Sequence, residues 1–296
     1  MDKILVTGAN GMVGQELIRL LSREGYEVVA TARGSRPAAF KPDNVRYVEA
    51  DITHPFQLQE IMAREKPATV VHCAAMTQVD DCELKQNEAH SVNVEATARL
   101  LLDAEEFSSF FIFLSTDFVF DGLRGMYKEE DEVNPVSWYG QTKVEAEAIV
   151  QTAEIPWAII RTCLVYGPRE AGQRSNLYSW IKESLDEGKA IKVVDDQWRT
   201  PTYVADLARG IELVIRKKAA GIWHISGKDQ ISPYGMALKI AGSLGKDTNL
   251  ITRVTADNFS QPGKRPAKTG FDISKASREL GYEPHSLDDI IGLLNS

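Results

Sequence analysis

Tyr139 and Lys143 are the side chains whose types and spacing point most directly to chemistry. Residues four apart on a helix share one face, so the phenol and the ammonium point the same way. A neighbouring ammonium favours the phenolate, and we expect it to lower the pKa of Tyr139 from its ordinary value of about 10. Such a tyrosine can donate a proton to a carbonyl that is being reduced. The pair alone is a weak signal, because a tyrosine beside a solvated lysine is common on helices.

A glycine-rich turn near the N-terminus predicts a dinucleotide site. Residues 4–6 are apolar, Gly8, Gly11 and Gly14 follow, and 15–23 has helical periodicity. Strand, turn and helix in that order is the context that a dinucleotide fingerprint requires. Gly8 allows the tight turn, Gly11 the close approach of a pyrophosphate, and Gly14 the close packing of helix on strand. The helix N-terminus then faces the phosphates. A purely structural turn is the alternative.

The end of the second strand, 27–32, indicates which dinucleotide binds. An acidic residue there would accept hydrogen bonds from the adenosine ribose of NAD. Arg33 occupies the position instead, with Arg36 close by. Guanidinium groups fit a 2′-phosphate, so NADPH is the predicted cofactor, with NADH as the second choice. Two surface arginines in a loop are the competing interpretation.

A third polar group follows the apolar segment 110–114, which is typical of a central parallel strand buried on both faces. The segment ends in Ser115, Thr116 and Asp117. Polar residues at the carboxyl end of such a strand lie where doubly wound sheets bind ligands. We therefore expect Thr116 to hydrogen-bond a substrate carbonyl, with the Ser115 hydroxyl as the nearest substitute. A hydroxyl that only caps the next turn is the alternative.

The alternation of strands and helices up to residue 168 predicts an α/β fold with a doubly wound parallel sheet, a Rossmann fold. We assign 1–168 to an NADP-binding domain that also receives segments near 190–225. Residues 169–189 and 226–296 are assigned to a smaller C-terminal substrate-binding domain. Both assignments follow from the weaker alternation after residue 168.

Two further features allow two interpretations each. Asn93 lies in the middle of a predicted helix over 80–103, although asparagine is a mediocre interior helix former. It either serves a site or is an exposed polar residue. The proline-rich loop 261–266 carries Lys264 and Arg265. These cations suit a diphosphate, or they are solvated loop charges.

The composition excludes several classes of protein. The 296 residues are 43% hydrophobic and carry a net charge of −8, which argues against a nucleic-acid or anionic-membrane surface. We see no apolar run of about 20 residues and no signal peptide, so a soluble cytoplasmic protein is predicted. Cys73, Cys82 and Cys163 lack C-x-x-C spacing, so neither disulfides nor a metal site is expected. The oligomeric state stays open, including a homodimer.

Together these motifs resemble those of the extended short-chain dehydrogenase/reductases, and more narrowly the dTDP-4-dehydrorhamnose reductase family. The resemblance runs nearly end to end, through 8–11, 73–75, 79–80, 115–122, 139–143, 161–162, 165–167, 196–197, 201–202 and 265–266. It implies that Thr116, Tyr139 and Lys143 form a catalytic triad and that NADPH or NADH donates a hydride. It also implies a nucleotide-sugar substrate, dTDP-4-dehydro-L-rhamnose, reduced at its 4-keto group to dTDP-L-rhamnose.

The predicted binding residues fall into two sets. Those expected to bind the cofactor are Gly8, Asn10, Gly11, Met12, Val13, Arg33, Asp51, Ile52, Cys73, Ala74, Ala75, Tyr139 and Lys143. Those expected to bind the substrate are Val79, Asp117, Leu164, Arg199, Lys264 and Arg265. Leu164 replaces a tryptophan typical of the family, and Arg199 replaces a small residue. Both departures bear on which sugar and nucleotide the chain accepts.

Two other functions fit the same resemblance. A nucleotide-sugar epimerase or dehydratase of this superfamily retains NAD tightly, and Arg33 in place of an acidic residue argues against it. A non-catalytic NADP-binding regulatory protein, similar to the β subunit of methionine adenosyltransferase, is the other alternative. The intact set of Thr116, Tyr139 and Lys143 argues for catalysis.

Overall fold

A seven-stranded parallel sheet dominates the protein, seen here in a computed structural model that describes residues 2–35, 44–170 and 173–295. Its strands, in chain order, are β1 (Lys3–Thr7), β2 (Glu27–Ala32), β3 (Val45–Glu49), β4 (Thr69–His72), β5 (Phe110–Thr116), β6 (Trp157–Thr162) and β10 (Gly221–His224). Their spatial order is β10-β6-β5-β4-β1-β2-β3. The predicted α/β class with a doubly wound parallel sheet is confirmed.

Helices cover both faces of this sheet. They are α1 (Met12–Arg23), α2 (Gln57–Glu65), α3 (Val79–Leu84), α4 (Gln86–His90), α5 (Ala96–Glu106), α6 (Trp138–Gln151) and α8 (Val204–Lys217). Successive strand residues point to opposite faces, so Ile4 and Val6 pack with α1 and α8 in one core, while Leu5 packs with α2, α5 and α6 in another. The apolar strands predicted from the sequence follow from this burial on both sides.

A smaller unit packs around its own core. It contains β8 (Ile191–Val194) paired in parallel with β11 (Ile251–Val254), a short pair of β7 (Val165–Tyr166) with β9 (Thr202–Tyr203), and the helices α7 (Leu177–Asp186), α9 (Pro233–Ser243) and α11 (Leu287–Asn295). Helix α10 (Ser274–Leu280) packs instead with α8 in the core of the large sheet. Helices α7, α9 and α11 enclose a separate apolar cluster with β8 and β11.

The segment near 190–225, assigned to the cofactor domain, divides between the two units. Helix α8 and strand β10 join the large sheet, but β8 pairs with β11 outside it. The reason is that Ile191 and Val193 bury their side chains in the smaller core. The division into a cofactor domain and a substrate domain stays a prediction.

Candidate active site

Helix α6 carries the predicted Tyr139–Lys143 pair into the protein. Ser137 caps its N-terminus by accepting a hydrogen bond from the Gly140 N–H at 3.2 Å. A Cβ on Gly140 would lie 2.2 Å from the Phe118 carbonyl oxygen, so only glycine lets the helix approach the segment after β5 this closely. Tyr139 and Lys143 are both buried, at 8% and 2% exposure. They therefore face the sheet rather than solvent.

The pKa of Tyr139 shifts opposite to our expectation. Burial raises it above its ordinary value, the Asp117 carboxylate adds to the rise, and a hydrogen bond with Thr116 opposes it. The expected lowering by Lys143 is wrong for this structure, because the Lys143 Nζ donates to the Leu114 carbonyl at 2.7 Å and lies over the Phe113 ring. Tyr139 is thus a protonated phenol at neutral pH, as a proton donor must be.

Lys143 is itself perturbed. Burial lowers its pKa to about 7, and the Glu147 carboxylate one turn later opposes that fall. Glu147 accepts a hydrogen bond from the Ser115 hydroxyl at 2.5 Å and from Arg161 Nη2 at 2.7 Å. Glu147 and Arg161 are 2% and 3% exposed, and Arg161 pairs in register with Ser115. This buried ion pair connects α6 to the end of β6, and the Ser115 hydroxyl connects the same carboxylate to the end of β5.

Thr116 lies beside Tyr139 at the end of β5. Its Oγ1 accepts a hydrogen bond from the Phe118 N–H at 3.3 Å and donates to Asp117 Oδ1 at 3.1 Å. The strand-end capping interaction therefore exists, and it coexists with the contact to Tyr139. The structure brings all three members of the predicted triad together.

The glycine turn lies at the same edge of the sheet. Gly8 has φ +70°, and a Cβ on it would lie 2.8 Å from the Ala74 nitrogen. A Cβ on Gly14 would lie 2.3 Å from the Gly8 oxygen, so α1 packs directly on the turn. Gly11 is the N-cap of α1 and gives it no side-chain cap within the described residues. The first-turn N–H groups, including those of Met12 and Val13, suit an anion.

The end of β2 forms a polar cluster with this turn. Asn10 Nδ2 donates to the Arg33 carbonyl at 3.1 Å, and the Tyr47 hydroxyl donates to Asn10 Oδ1 and to the Gly34 carbonyl, both at 3.0 Å. Arg33 is exposed, as a ligand to a 2′-phosphate needs to be. Arg36 lies outside the described residues. Sequence reasoning missed Tyr47, which sits in a strand pattern that gives its hydroxyl no signal.

The remaining predicted cofactor residues line the ends of β3 and β4. Asp51 Oδ1 accepts hydrogen bonds from the backbone and hydroxyl of Thr53, and Ile52 is buried. Cys73, Ala74 and Ala75 follow β4 directly and are half-buried. Burial raises the pKa of the Cys73 thiol to about 12, so it is not a thiolate.

A buried polar chain links β1, β4 and α5. Thr7 Oγ1 lies 2.7 Å from His72 Nδ1 and accepts from the Ala74 N–H at 3.2 Å, while His72 Nε2 lies 3.1 Å from Thr97 Oγ1. Burial, aided by Lys143, lowers the pKa of His72 to about 3, so the imidazole is neutral. Sequence reasoning did not assign this chain, because its members are far apart in the sequence.

Asn93 now has one interpretation. It lies in a π-helical turn, Ser91–Glu95, that interrupts the continuous helix we predicted over 80–103. Its side chain is 1% exposed, binds the Met76 N–H at 2.8 Å and the Met76 carbonyl at 3.0 Å, and donates to Thr142 at 3.0 Å. Asn93 therefore joins the loop after β4 to α6.

The predicted substrate residues lie around the triad, but several are occupied by protein partners. Arg265 forms a bidentate ion pair with Asp80, at 2.7 and 2.8 Å. A Cβ on Gly263 would lie 2.7 Å from Val79 Cγ1, so the loop packs closely on α3. Lys264 is exposed. Leu164 is half-buried with φ +39°, a left-handed backbone that is uncommon for leucine.

Asp117, directly after β5, and Arg199 form a buried pair. Asp117 is 3% exposed and Arg199 4%. The Arg199 Nε lies 3.5 Å from Asp117 Oδ2, and its other nitrogens bind backbone carbonyls. The two residues that we predicted as separate substrate contacts therefore bind each other.

Comparison with known proteins gives the family. The model of the RmlD substrate binding domain matches residues 1–292. The chain belongs to this family. It is 31% identical over 297 residues to the dTDP-4-dehydrorhamnose reductase of Aggregatibacter actinomycetemcomitans, covering 96% of this chain and 95% of that one. The prediction of a reductase of this type is confirmed at the level of the family.

Two further similarities bear on cofactor and role. The crystal structure of dTDP-4-dehydrorhamnose reductase from Bacillus anthracis in complex with NADP has a TM-score of 0.87 and 26% identity, covering 99% of this chain and 98% of that one. Methionine adenosyltransferase 2 subunit beta of Bos taurus is 29% identical over 278 residues, covering 92% of this chain and 81% of that one. The chain is thus similar both to a reductase and to a subunit named for another enzyme.

The described residues form neither a metal-binding cluster nor a membrane-spanning helix. No cluster of three or more His, Cys, Asp or Glu side chains there is arranged to hold a metal ion. No helix in the described part of the chain has the length and apolar content needed to cross a membrane.

Proposed function

We propose that this protein reduces the 4-keto group of a nucleotide sugar with NADPH, and that dTDP-4-dehydro-L-rhamnose is the substrate and dTDP-L-rhamnose the product. The observation that carries this proposal is the placement of Thr116, Tyr139 and Lys143 at one buried sheet edge, next to the glycine turn. Family membership supports the same reaction class.

The residues of the glycine turn and the end of β2 fit a dinucleotide phosphate. Glycines at 8 and 14 leave no room for a side chain where helix, turn and β4 meet, and the uncapped N-terminus of α1 offers N–H donors to a pyrophosphate. Exposed Arg33 would bind the 2′-phosphate. When bound, the reduced nicotinamide supplies a hydride to the substrate carbonyl carbon.

The protein's own residues orient the carbonyl and supply the proton. Thr116 and Tyr139 would both hydrogen-bond the carbonyl oxygen, and the Tyr139 Oη–H would pass its proton to that oxygen as it becomes an alkoxide. Lys143, on the same helix face, would hold the nicotinamide ribose. The Glu147–Arg161 pair keeps that helix against the strand that carries Thr116.

The regulatory alternative is favoured by one observation, the similarity to methionine adenosyltransferase 2 subunit beta. A regulatory protein has no need of a buried, protonated tyrosine beside a threonine hydroxyl. The epimerase alternative needs a tightly retained NAD, which exposed Arg33 does not favour. NAD that copurifies and does not exchange would support the epimerase over the reductase.

The decisive experiment follows NADPH oxidation with dTDP-4-dehydro-L-rhamnose generated in place. We expect turnover by the wild type and a loss of about 10²–10⁴-fold in Tyr139→Phe, the range of general acid catalysis. Tyr26→Phe, far from the site in the apolar core beside α1, is the matched control and should keep full activity. Equal turnover in both variants would contradict the role of Tyr139. NADPH binding without turnover, together with a copurifying partner protein, would favour regulation.

A further inference from the structure

Arg199 is buried and surrounded by protein acceptors. Its Nη2 donates to the Pro266 carbonyl at 2.7 Å, and its Nη1 donates to the carbonyls of Trp198 at 2.9 Å and Ala267 at 3.1 Å. A guanidinium is a rigid, planar fork of five donors. Each of its three nitrogens here has an acceptor within 3.5 Å. Arg199 is therefore committed to protein partners rather than to a diphosphate.

The charge of Arg199 is balanced by Asp117. The Nε lies 3.5 Å from Asp117 Oδ2, the same oxygen that accepts a hydrogen bond from the Thr269 hydroxyl. The other Asp117 oxygen accepts from Thr116 at 3.1 Å. A buried carboxylate is costly unless it is paired and hydrogen-bonded. Arg199 and Thr269 thus complete the set of partners that the buried Asp117 carboxyl group has next to Thr116.

The segment that Arg199 holds is packed tightly against the loop after β5. The Lys268 N–H donates to the Gly122 carbonyl at 2.9 Å, and the Thr269 N–H donates to the Trp198 carbonyl at 3.1 Å. A Cβ on Gly122, which has φ +76°, would lie 2.5 Å from Pro266 Cβ. This close packing means that a shift of 266–269 would displace the end of β5.

We propose that Arg199 is a positioning residue that clamps 266–269 against the end of β5. Asp117 then holds the Thr116 side chain in place by accepting a hydrogen bond from its hydroxyl, whose proton turns to the carbonyl oxygen when the substrate binds, and Asp117 does not bind the sugar itself. The part of this inference that concerns Thr116 rests on the proposed function. The clamp does not, because it is defined by contacts within the chain. A buried arginine bound to protein groups thus stands where the family pattern has a small residue.

Amide hydrogen exchange tests the clamp without any substrate. In Arg199→Met, the exchange rates of the Lys268 and Thr269 amides should rise about tenfold or more, because local opening no longer breaks the guanidinium contacts. The matched control is Arg253→Met, which removes a 70% exposed arginine of the smaller unit and should leave those two amides unchanged. Unchanged exchange in Arg199→Met would overturn the clamp.

A second variant keeps the test valid if Arg199→Met does not fold. Arg199→Met leaves the Asp117 carboxylate buried without its cation, whereas Asp117→Asn/Arg199→Met leaves a neutral pair of similar shape. The double variant should fold, as judged by its melting curve, and should still exchange the Lys268 and Thr269 amides faster than the wild type. Exchange equal to that of the wild type in a folded double variant would also overturn the clamp.

Steady-state kinetics test how Asp117 acts. If it orients Thr116, Asp117→Asn and Arg199→Met should each lower kcat with KM for the nucleotide sugar little changed, and the double variant should lose no more than the worse single one. If Asp117 binds the sugar, Asp117→Asn should raise KM and preserve kcat, which would overturn the positioning role. A wild type without turnover would refute the proposed function, while the exchange result still decides the clamp.

Discussion

Two buried arginines flank the carboxyl end of β5, and they hold it in different ways. Arg161, on the neighbouring strand, binds the Glu147 carboxylate through Nε at 3.0 Å and Nη2 at 2.7 Å. Arg199 comes from a loop and binds mainly backbone carbonyls. Helix α6, which carries Tyr139 and Lys143, is thus held by a charge pair between strand and helix. The segments around Arg199 are held by loop contacts that form only in the folded chain.

The Glu147–Arg161 pair should give the largest effect of any change that tests this contrast. Glu147→Gln leaves Arg161 charged and buried, and we expect it to lower the free energy of unfolding by about 3–5 kcal/mol. Glu145→Gln, on the same helix but 35% exposed beside His90, should cost at most about 1 kcal/mol. Urea unfolding of both variants measures the difference. Equal losses would show that the buried pair is not what holds α6.

Gly14 tests the cofactor side of the same sheet edge. A methyl group at 2.3 Å from the Gly8 oxygen must push α1 away, so Gly14→Ala should cost about 1–3 kcal/mol of unfolding free energy and weaken NADPH binding. Gly242→Ala, in α9 with nothing within 4 Å of the added methyl, should instead stabilise by about 1 kcal/mol. Calorimetry and NADPH titration check both. Tight NADPH binding by Gly14→Ala would contradict the assigned phosphate turn.

The buried histidines predict an acid-sensitive fold. Burial lowers the pKa of His72 and of His224 from 6.5 to about 3. Between those values the unfolded chain binds protons that the folded chain does not, so the stability present above pH 6.5 is lost as the pH falls. The slope should be at most about 1.4 kcal/mol per pH unit for each histidine. Urea midpoints of the wild type between about pH 6.5 and 5 measure it.

Replacing one histidine sharpens that result. His72→Gln should remove its share of the slope, because the remaining buried imidazole is that of His224. The control is His54→Gln, at an exposed position. A slope that does not change in His72→Gln would mean that the Thr7–His72–Thr97 chain opens and lets the imidazole protonate in the folded state.

The Asp80–Arg265 pair should give the smallest effect. Its side chains are 37% and 19% exposed, so Asp80→Asn should cost about 0–1 kcal/mol of unfolding free energy. It should still loosen the loop, and trypsin should cleave after exposed Lys264 faster than in the wild type. Asp81→Asn, the neighbouring carboxylate, is the control. A loss as large as that of Glu147→Gln would remove the contrast between partly exposed and buried pairs.

The Tyr139–Lys143 pair and the glycine turn were predictable because their sequence signals are local. Tyr139 and Lys143 lie one helical turn apart. Gly8, Gly11 and Gly14 follow each other at intervals of three residues, between the end of β1 and the first turn of α1. Hydrophobic runs predicted strands of the large sheet, including β2 at its observed bounds. Spacing of this kind fixes which face a side chain occupies, whatever the rest of the chain does.

The partners of the predicted substrate residues were less predictable, because these contacts join residues that are distant in the sequence. Arg199 and Arg265 are cations in loops, and nothing in their neighbours reveals that Asp117 and Asp80 are their partners. The pKa of Tyr139 also depends on burial, which a motif does not show. The same reason explains why Tyr47 and the buried His72 chain were missed.

The central claim is that a hydride reaches a sugar carbonyl at this site. It is tested most directly by incubating the protein with dTDP-4-dehydro-L-rhamnose and NADPH deuterated at C4 of the nicotinamide. We expect dTDP-L-rhamnose that carries the deuterium at C4 of the sugar, with none formed by Tyr139→Phe in the same time. Oxidation of NADPH without deuterium in the sugar, or no product from the wild type under conditions where NADPH binds, would contradict it.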